Sequence, residues 1–154
     1  MAKRKILVSE CLYGGRAVRY DGRDASLSDP RFLRWKEEGR LIPVCPEVSG
    51  GLPVPRPAAQ RAGERVLTCA GKDVTKEYTA GAQAALRLAK EHDVVFAVMK
   101  QDSPSCGSKF IYDGTFTGTK TPGQGMAAAY LRDAGFTVFG EEDLDEAEAL
   151  LARL

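Results

Sequence analysis

At 154 residues the chain has room for one domain, 1–154, burying roughly two thirds of its unfolded surface. An apolar fraction of 44% excludes a disordered chain, and a formal net charge of +1 gives no overall attraction to duplex nucleic acid. Behind the charged start Met1–Lys5 only three apolar residues precede Ser9, too few for a signal peptide, and no stretch approaches the ~18 of a membrane span. The expected location is the cytosol, with no membrane partner. There, four cysteines point to metal binding or catalysis before disulfides. Arg16, Arg19, Arg23, Arg31 and Arg34 make the first quarter basic and 141–148 the tail acidic; both read as solvated faces.

In chain order, residues 3–9 read as a strand ending just before Cys11, followed by a glycine-punctuated loop. A short helix starts at Asp29, with Pro30 in first position, Gly39 as stop, and Phe32, Leu33 and Trp35 on its buried side. The second strand, 41–44, runs into Cys45 and a segment with four prolines and two glycines between 45 and 57, which reads as irregular but fixed. Residues 65–68 suit a short strand or edge hairpin. Asp73 caps the clearest helix, 74–91, with Val74, Tyr78, Ala82, Ala85 and Ala89 on one face. The run Val94–Met99 is apolar throughout, as in a strand buried on both faces. It turns abruptly into Lys100-Gln101-Asp102-Ser103-Pro104-Ser105-Cys106-Gly107.

Residues 110–118 read as a hairpin around Asp113-Gly114. Gly123-Gln124-Gly125 opens a helix over 126–134, closed by Gly135, and could present amides to an anion. A strand at 136–139 precedes a helix capped by Asp143, with Glu146 three residues on. Alternating strands and helices indicate an α/β fold, a three-layer Rossmann-like domain with a mostly parallel sheet.

Three cysteines, Cys11, Cys45 and Cys106, each follow an apolar strand in a Gly/Pro-rich turn. If those strands are parallel neighbours, their carboxyl ends meet at one crevice, where open α/β sheets take their ligands. None belongs to a C-x-x-C pair, against a thioredoxin motif or zinc ribbon. Three separated thiolates suit an iron–sulfur cluster, or a transition metal with one position left open. Cys69 lacks this setting and reads as structural. His92, the one histidine, sits at a helix end, where a cation is favourable, away from every motif. Arg56 reads first as a surface arginine, otherwise as a contact for a phosphate or ribose.

Several segments resemble one bacterial family, which includes the thiouracil desulfidases. They are Ser9-Glu10-Cys11-Leu12-Tyr13-Gly14, Arg19-Tyr20-Asp21-Gly22, the block from Cys45-Pro46-Glu47 to Arg56, and Ser103-Pro104-Ser105-Cys106-Gly107. Gly71–Thr75 with Gly81-Ala82, and Tyr112–Gly118, are similar too, so the likeness runs nearly the length of the chain in the right order. The resemblance implies a 4Fe–4S cluster held by Cys11, Cys45 and Cys106, with its fourth iron free for a substrate sulfur. It implies removal of sulfur from a thiolated uracil such as 2-thiouracil, giving uracil and sulfide without net redox change. By position, the catalytic carboxylate maps to Glu47 and the catalytic serine to Ser103.

On that reading Glu47 activates water as a general base and Ser103 stabilises developing charge. The blander roles are a loop cap for Glu47 and a turn for Ser103. Ser9, Glu10, Asp102 and Ser105 face the same crevice and could orient substrate. Two other classes fit the cysteines: an iron–sulfur or sulfide carrier serving an acceptor partner, and a zinc protein whose thiols hold loops. A thiopyrimidine small molecule is the expected substrate; the near-neutral charge leans against thiolated tRNA, and the oligomeric state is not legible.

Overall fold

Successive side chains of three short strands point into two separate apolar clusters, and this sorting defines the architecture. In the computed structural model, which describes residues 3–154, β1 (Ile6–Ser9) leads into the one-turn helix α1 (Glu10–Tyr13). Helix α2 (Pro30–Glu37), β2 (Leu41–Val44) and a second one-turn helix, α3 (Pro46–Ser49), follow. The hairpin β3 (Ala59–Ala62) and β4 (Arg65–Thr68) precedes the long helix α4 (Thr75–Glu91) and β5 (Phe96–Met99). A second hairpin, β6 (Phe110–Tyr112) and β7 (Lys120–Pro122), precedes α5 (Met126–Asp133), β8 (Val138–Gly140) and α6 (Leu144–Ala152).

The main sheet has the order β2-β1-β5-β8 and is parallel throughout. Leu7, Ala97 and Met99 face one side, packing on Tyr78, Ala82, Ala85 and Ala89 of α4 and Ala127 and Leu131 of α5. Ile6, Val8, Phe96 and Val98 face the other, against Phe32 and Trp35 of α2 and Leu144 and Ala147 of α6. Strands buried on both faces must be apolar at every position, which is why these runs do not alternate. The result is the expected three-layer α/β fold. Among the described residues no helix is long and apolar enough to cross a membrane.

Helix α2 follows the reading closely: Asp29 accepts the Arg31 amide, Pro30 stands first, and Gly39 takes a φ of 74° beyond the last turn. Leu33 departs from it at 45% exposure, because it lies about 100° around the helix from Phe32 while Trp35 shares Phe32's face. Residues 46–49 are helical where an irregular loop was expected. Proline is tolerated at a first helical position, whose N–H has no helical partner anyway.

Strand boundaries shift as well. β1 begins at Ile6, where the apolar run starts, later than the expected residue 3, and β5 at Phe96, two residues into its apolar run. β8 begins at Val138 because Gly135 and Phe136 still close α5, their amides bonding to Arg132 O and Leu131 O. The return strand of the second hairpin is Lys120–Pro122, beyond the expected segment. Asp113 accepts from the Thr115 amide, its own amide reaches Thr119 O, and the Thr115, Thr117 and Thr119 hydroxyls bond in series, so 113–119 forms a broad loop.

Two caps differ in detail. Asp73 accepts the Thr75 amide, but the cap position falls on Val74. Asp143 stands at the cap of α6 without capping it: its carboxylate accepts instead from the Gly140 amide (3.0 Å) and Lys109 Nζ (2.6 Å). The basic first quarter and acidic tail are not simply solvated. Arg31 pairs with Asp145 and Arg34 with Glu148, tying α2 to α6.

Candidate functional site

Because β2, β1 and β5 are parallel neighbours, their carboxyl ends lie side by side, and each hands the chain directly to a cysteine-bearing turn. A cavity of about 450 Å³ lies over these ends, and Cys11, Cys45 and Cys106 all line it. The three thiols that the chain keeps far apart are thus brought together. Cys69, just past β4, is exposed and takes no part in the cavity. His92 caps the end of α4, also outside it.

Burial sets the electrostatics. It pushes the Cys11 thiol up to about 12, with Cys45 and Glu141 adding to the rise. Cys45 is raised for the same reason, and Cys106, buried deepest, is raised further by the charge that Cys11 and Cys45 would carry. Such thiols stay neutral near pH 7 unless a cation offsets the cost of ionising them. The donor set is therefore soft, shared and unreactive on its own, which fits a thiophilic metal centre. Among the described residues no three His, Cys, Asp or Glu side chains close around one position that a single metal ion would occupy. A cluster fits such a set differently, since each of its thiolates binds a separate iron.

The loop carrying Cys106 is held from several sides. The first amides around α5 donate into it: Gly125 to Gly107 O (2.8 Å), Met126 to Pro104 O (2.9 Å) and Ala127 to Ser105 O (2.8 Å). Of the amides expected at Gly123-Gln124-Gly125 for an anion, Gly125's is spent on the loop and Gly123's on Lys109 O (3.0 Å), and that reading is corrected. A Cβ on Gly125 would stand 2.4 Å from the Ser105 carbonyl carbon, so glycine is required for the contact. Ser9, 1% exposed, accepts the Lys100 amide at 2.9 Å. Glu141 accepts the Gln101 amide (2.9 Å) and pairs with Lys100 (3.1 Å), so the acidic tail begins inside the site's support.

Glu47, on α3, points to the same cavity and is fixed at both oxygens. Arg56 Nε donates to Oε1 at 3.0 Å and Ser105 Oγ to Oε2 at 2.8 Å. Arg56 also donates to Pro53 O (3.0 Å) and Val18 O (2.7 Å), and its side chain is 4% exposed. The surface reading of Arg56 is therefore wrong: it is a buried clamp. Burial and the Glu47 charge together raise the Tyr78 phenol well above its ordinary range.

Ser103 does make the turn, its Oγ accepting the Ser105 and Cys106 amides (both 3.1 Å). It also stands 3.0 Å from Ser105 Oγ. Ser105 has one proton and gives it to Glu47, so Ser103 donates to Ser105, and the bonds run in one direction from Ser103 to the carboxylate.

Glu10 and Asp102 line the cavity with their charges already engaged, Glu10 by Arg16 (2.7 and 2.8 Å) and Asp102 by Lys120 (2.9 Å). Arg56's clamp and the Tyr78 hydroxyl are what sequence reasoning missed. A tyrosine in an otherwise alanine-lined helix face was the available signal, since its buried hydroxyl needs a partner.

Comparison with known proteins bears on this arrangement directly. The 2-thiouracil desulfurase family matches residues 6–143. The chain belongs to that family. Another similar protein is the uncharacterized protein YbbK of Bacillus subtilis (strain 168), 40% identical over 151 residues, with 92% of this chain and 98% of YbbK covered. The solved structure of the 4Fe–4S-dependent thiouracil desulfidase TudS superposes with a TM-score of 0.96 at 45% identity. That match covers 99% of this desulfurase-family chain and 100% of TudS, and it bears out the expected fold and family.

Proposed function

We propose that the protein is an iron–sulfur-dependent desulfidase that converts a thiolated uracil to uracil and sulfide without net redox change. Cys11, Cys45 and Cys106 would hold a 4Fe–4S cluster, and Glu47 and Ser103 would act on the substrate. The observation that carries this reading is the meeting of three thiols, one buried and two half-buried, and a doubly anchored carboxylate in one cavity. Membership of the 2-thiouracil desulfurase family and the likeness to TudS support the substrate class and cofactor.

When bound through three thiolates, the cluster supplies an iron without a protein ligand, a soft Lewis acid for the thiocarbonyl sulfur. Glu47 takes a proton from the water that adds to the thiocarbonyl carbon, forming C–O as C–S breaks, and returns the proton to the departing sulfur. Arg56 and Ser105 hold the carboxylate in place, so no reorientation is needed during the step. Ser103, anchored by two amides, would turn its one proton from Ser105 to the ring or its developing charge when substrate is bound. Ser9, Glu10, Asp102 and Ser105 complete the walls. A cavity of about 450 Å³ suits a base or nucleoside.

The test is anaerobic purification with iron, acid-labile sulfide and the visible spectrum, followed by 2-thiouracil. Uracil and sulfide released in equal amounts are expected. An iron-replete protein that leaves 2-thiouracil and its nucleoside intact while binding sulfide would sink the enzyme reading in favour of a carrier.

A further inference from the structure

Phe116 stands in the loop between β6 and β7 with a φ of 58°, a conformation that costs free energy for a bulky side chain. Its burial is incomplete: the residue is 38% exposed while also lining the cavity, which puts it at the opening. Two features hold it there. The threonine hydroxyls described above brace the loop from within, and Gln60 of β3 reaches across, its Oε1 accepting the amides of Gly114 (3.0 Å) and Phe116 (3.2 Å). One side chain of the first hairpin thus pins the loop of the second.

The other aromatic residues lining the cavity are already engaged. Arg19 stands over the Tyr20 ring (5.6 Å) and Lys120 over Tyr112 (5.8 Å), while Tyr78 is 2% exposed in the core. Phe116, among the described residues, has neither a cation nor a ring partner. An exposed ring kept in a costly backbone conformation, over a cavity and with its face unused, calls for a flat occupant.

We infer that Phe116 is a substrate-binding residue whose ring stacks on the pyrimidine in the cavity, with Gln60 as the positioning residue that holds it there. This rests on the desulfidase reading above. Aromatic rings stack on any nucleobase because every base offers a π face; the contact therefore sets affinity for the heterocycle and leaves the choice between sulfur positions to the cavity floor.

The experiment is calorimetric titration of uracil, the unreactive product, into the anaerobically purified holoenzyme, beside iron content and thermal unfolding. Phe116→Ala should weaken uracil binding about ten-fold, Phe116→Tyr should restore it, and iron content should not change. Gln60→Leu should weaken binding similarly, whereas Gln60→Glu, which keeps an acceptor, should not. Phe116→Gly should lose binding while its unfolding temperature holds or rises, because glycine relieves the positive φ. Uracil binding equal to wild type in Phe116→Ala overturns the inference, as does loss of iron or a lowered unfolding temperature in that variant, which would mark a structural role. A wild-type holoenzyme that neither binds uracil nor acts on 2-thiouracil overturns the desulfidase reading itself, and this inference with it.

Discussion

A methyl group on Gly81 would stand 1.8 Å from the carbonyl oxygen of Pro46; helix α4 and the one-turn helix α3 touch backbone to backbone. Gly50 makes the reciprocal approach, its missing Cβ falling 2.0 Å from Glu77 O. This contact seats α3, and with it Cys45 and Glu47. Gly81→Ala should gain about 1 kcal/mol of helix propensity yet lose more by overlap, typically about 1–3 kcal/mol for overpacking. The expected result is a lower unfolding temperature and reduced iron retention. A higher unfolding temperature would show that α3 can move aside without loss.

The thiols make a second prediction. Serine at Cys11, Cys45 or Cys106 should remove most of the iron from anaerobically purified protein, because an alcohol is a poor donor to a thiophilic metal. Cys69→Ser should retain it, since that side chain is exposed and outside the cavity. Iron and sulfide analysis of the four variants decides the ligand set.

Glu47→Gln keeps the shape of the side chain and removes the base. It should hold iron as wild type does while turnover of 2-thiouracil falls about 10²–10⁴-fold. Ser105→Ala, which frees one carboxylate oxygen, should lose less, and Ser103→Ala should lower activity with some loosening of the turn it closes. Full turnover in Glu47→Gln would move the base elsewhere.

Removing Arg56 strands a buried carboxylate. Arg56→Met leaves Glu47, 12% exposed, without its ion pair, and breaking a buried pair costs about 3–5 kcal/mol. Denaturant unfolding should show that loss, with Arg56→Met/Glu47→Gln recovering part of it, since the double variant has no charge to strand. Additive losses would mean that the two side chains do not interact energetically.

Bonds from Thr75, with Arg65 alongside, hold the Asp73 carboxyl at about 2, below its ordinary 3.8. A depressed carboxyl stabilises the folded state fully above its unfolded value, and the contribution is lost as pH falls through the folded one. Wild type should therefore lose more stability between pH 5 and pH 3, roughly the upper part of that window, than Asp73→Asn. Equal losses would show that the carboxyl is not perturbed.

The sheet and the meeting of the cysteines were legible because both depend on local pattern: apolar runs such as Val94–Met99, each ending in a polar, Gly/Pro-rich turn, plus the rule that parallel strands present ligand sites at their carboxyl ends. What escaped was partnership across the fold. Gly123-Gln124-Gly125 had the form of an anion site, but its neighbouring amides face Pro104, Ser105 and Gly107, a fact no local spacing contains. Arg56 sits in a proline-rich stretch that resembles a surface loop; only the folded chain shows Val18 O and Glu47 converging on its guanidinium. The Asp113-Gly114 turn misled similarly, since the threonine hydroxyls beyond it delay the return strand.

The ties from α5 to the Cys106 loop also impose an order on biosynthesis. Cys11 and Cys45 leave the ribosome early, each just past one of two strands that pair with each other. The third thiol is not locked in place until the amides of Gly125, Met126 and Ala127 have been made and have found their carbonyls. Whatever the three thiols hold, a chain stalled before Gly125 carries all the cysteines of the centre and lacks the braces that shape it.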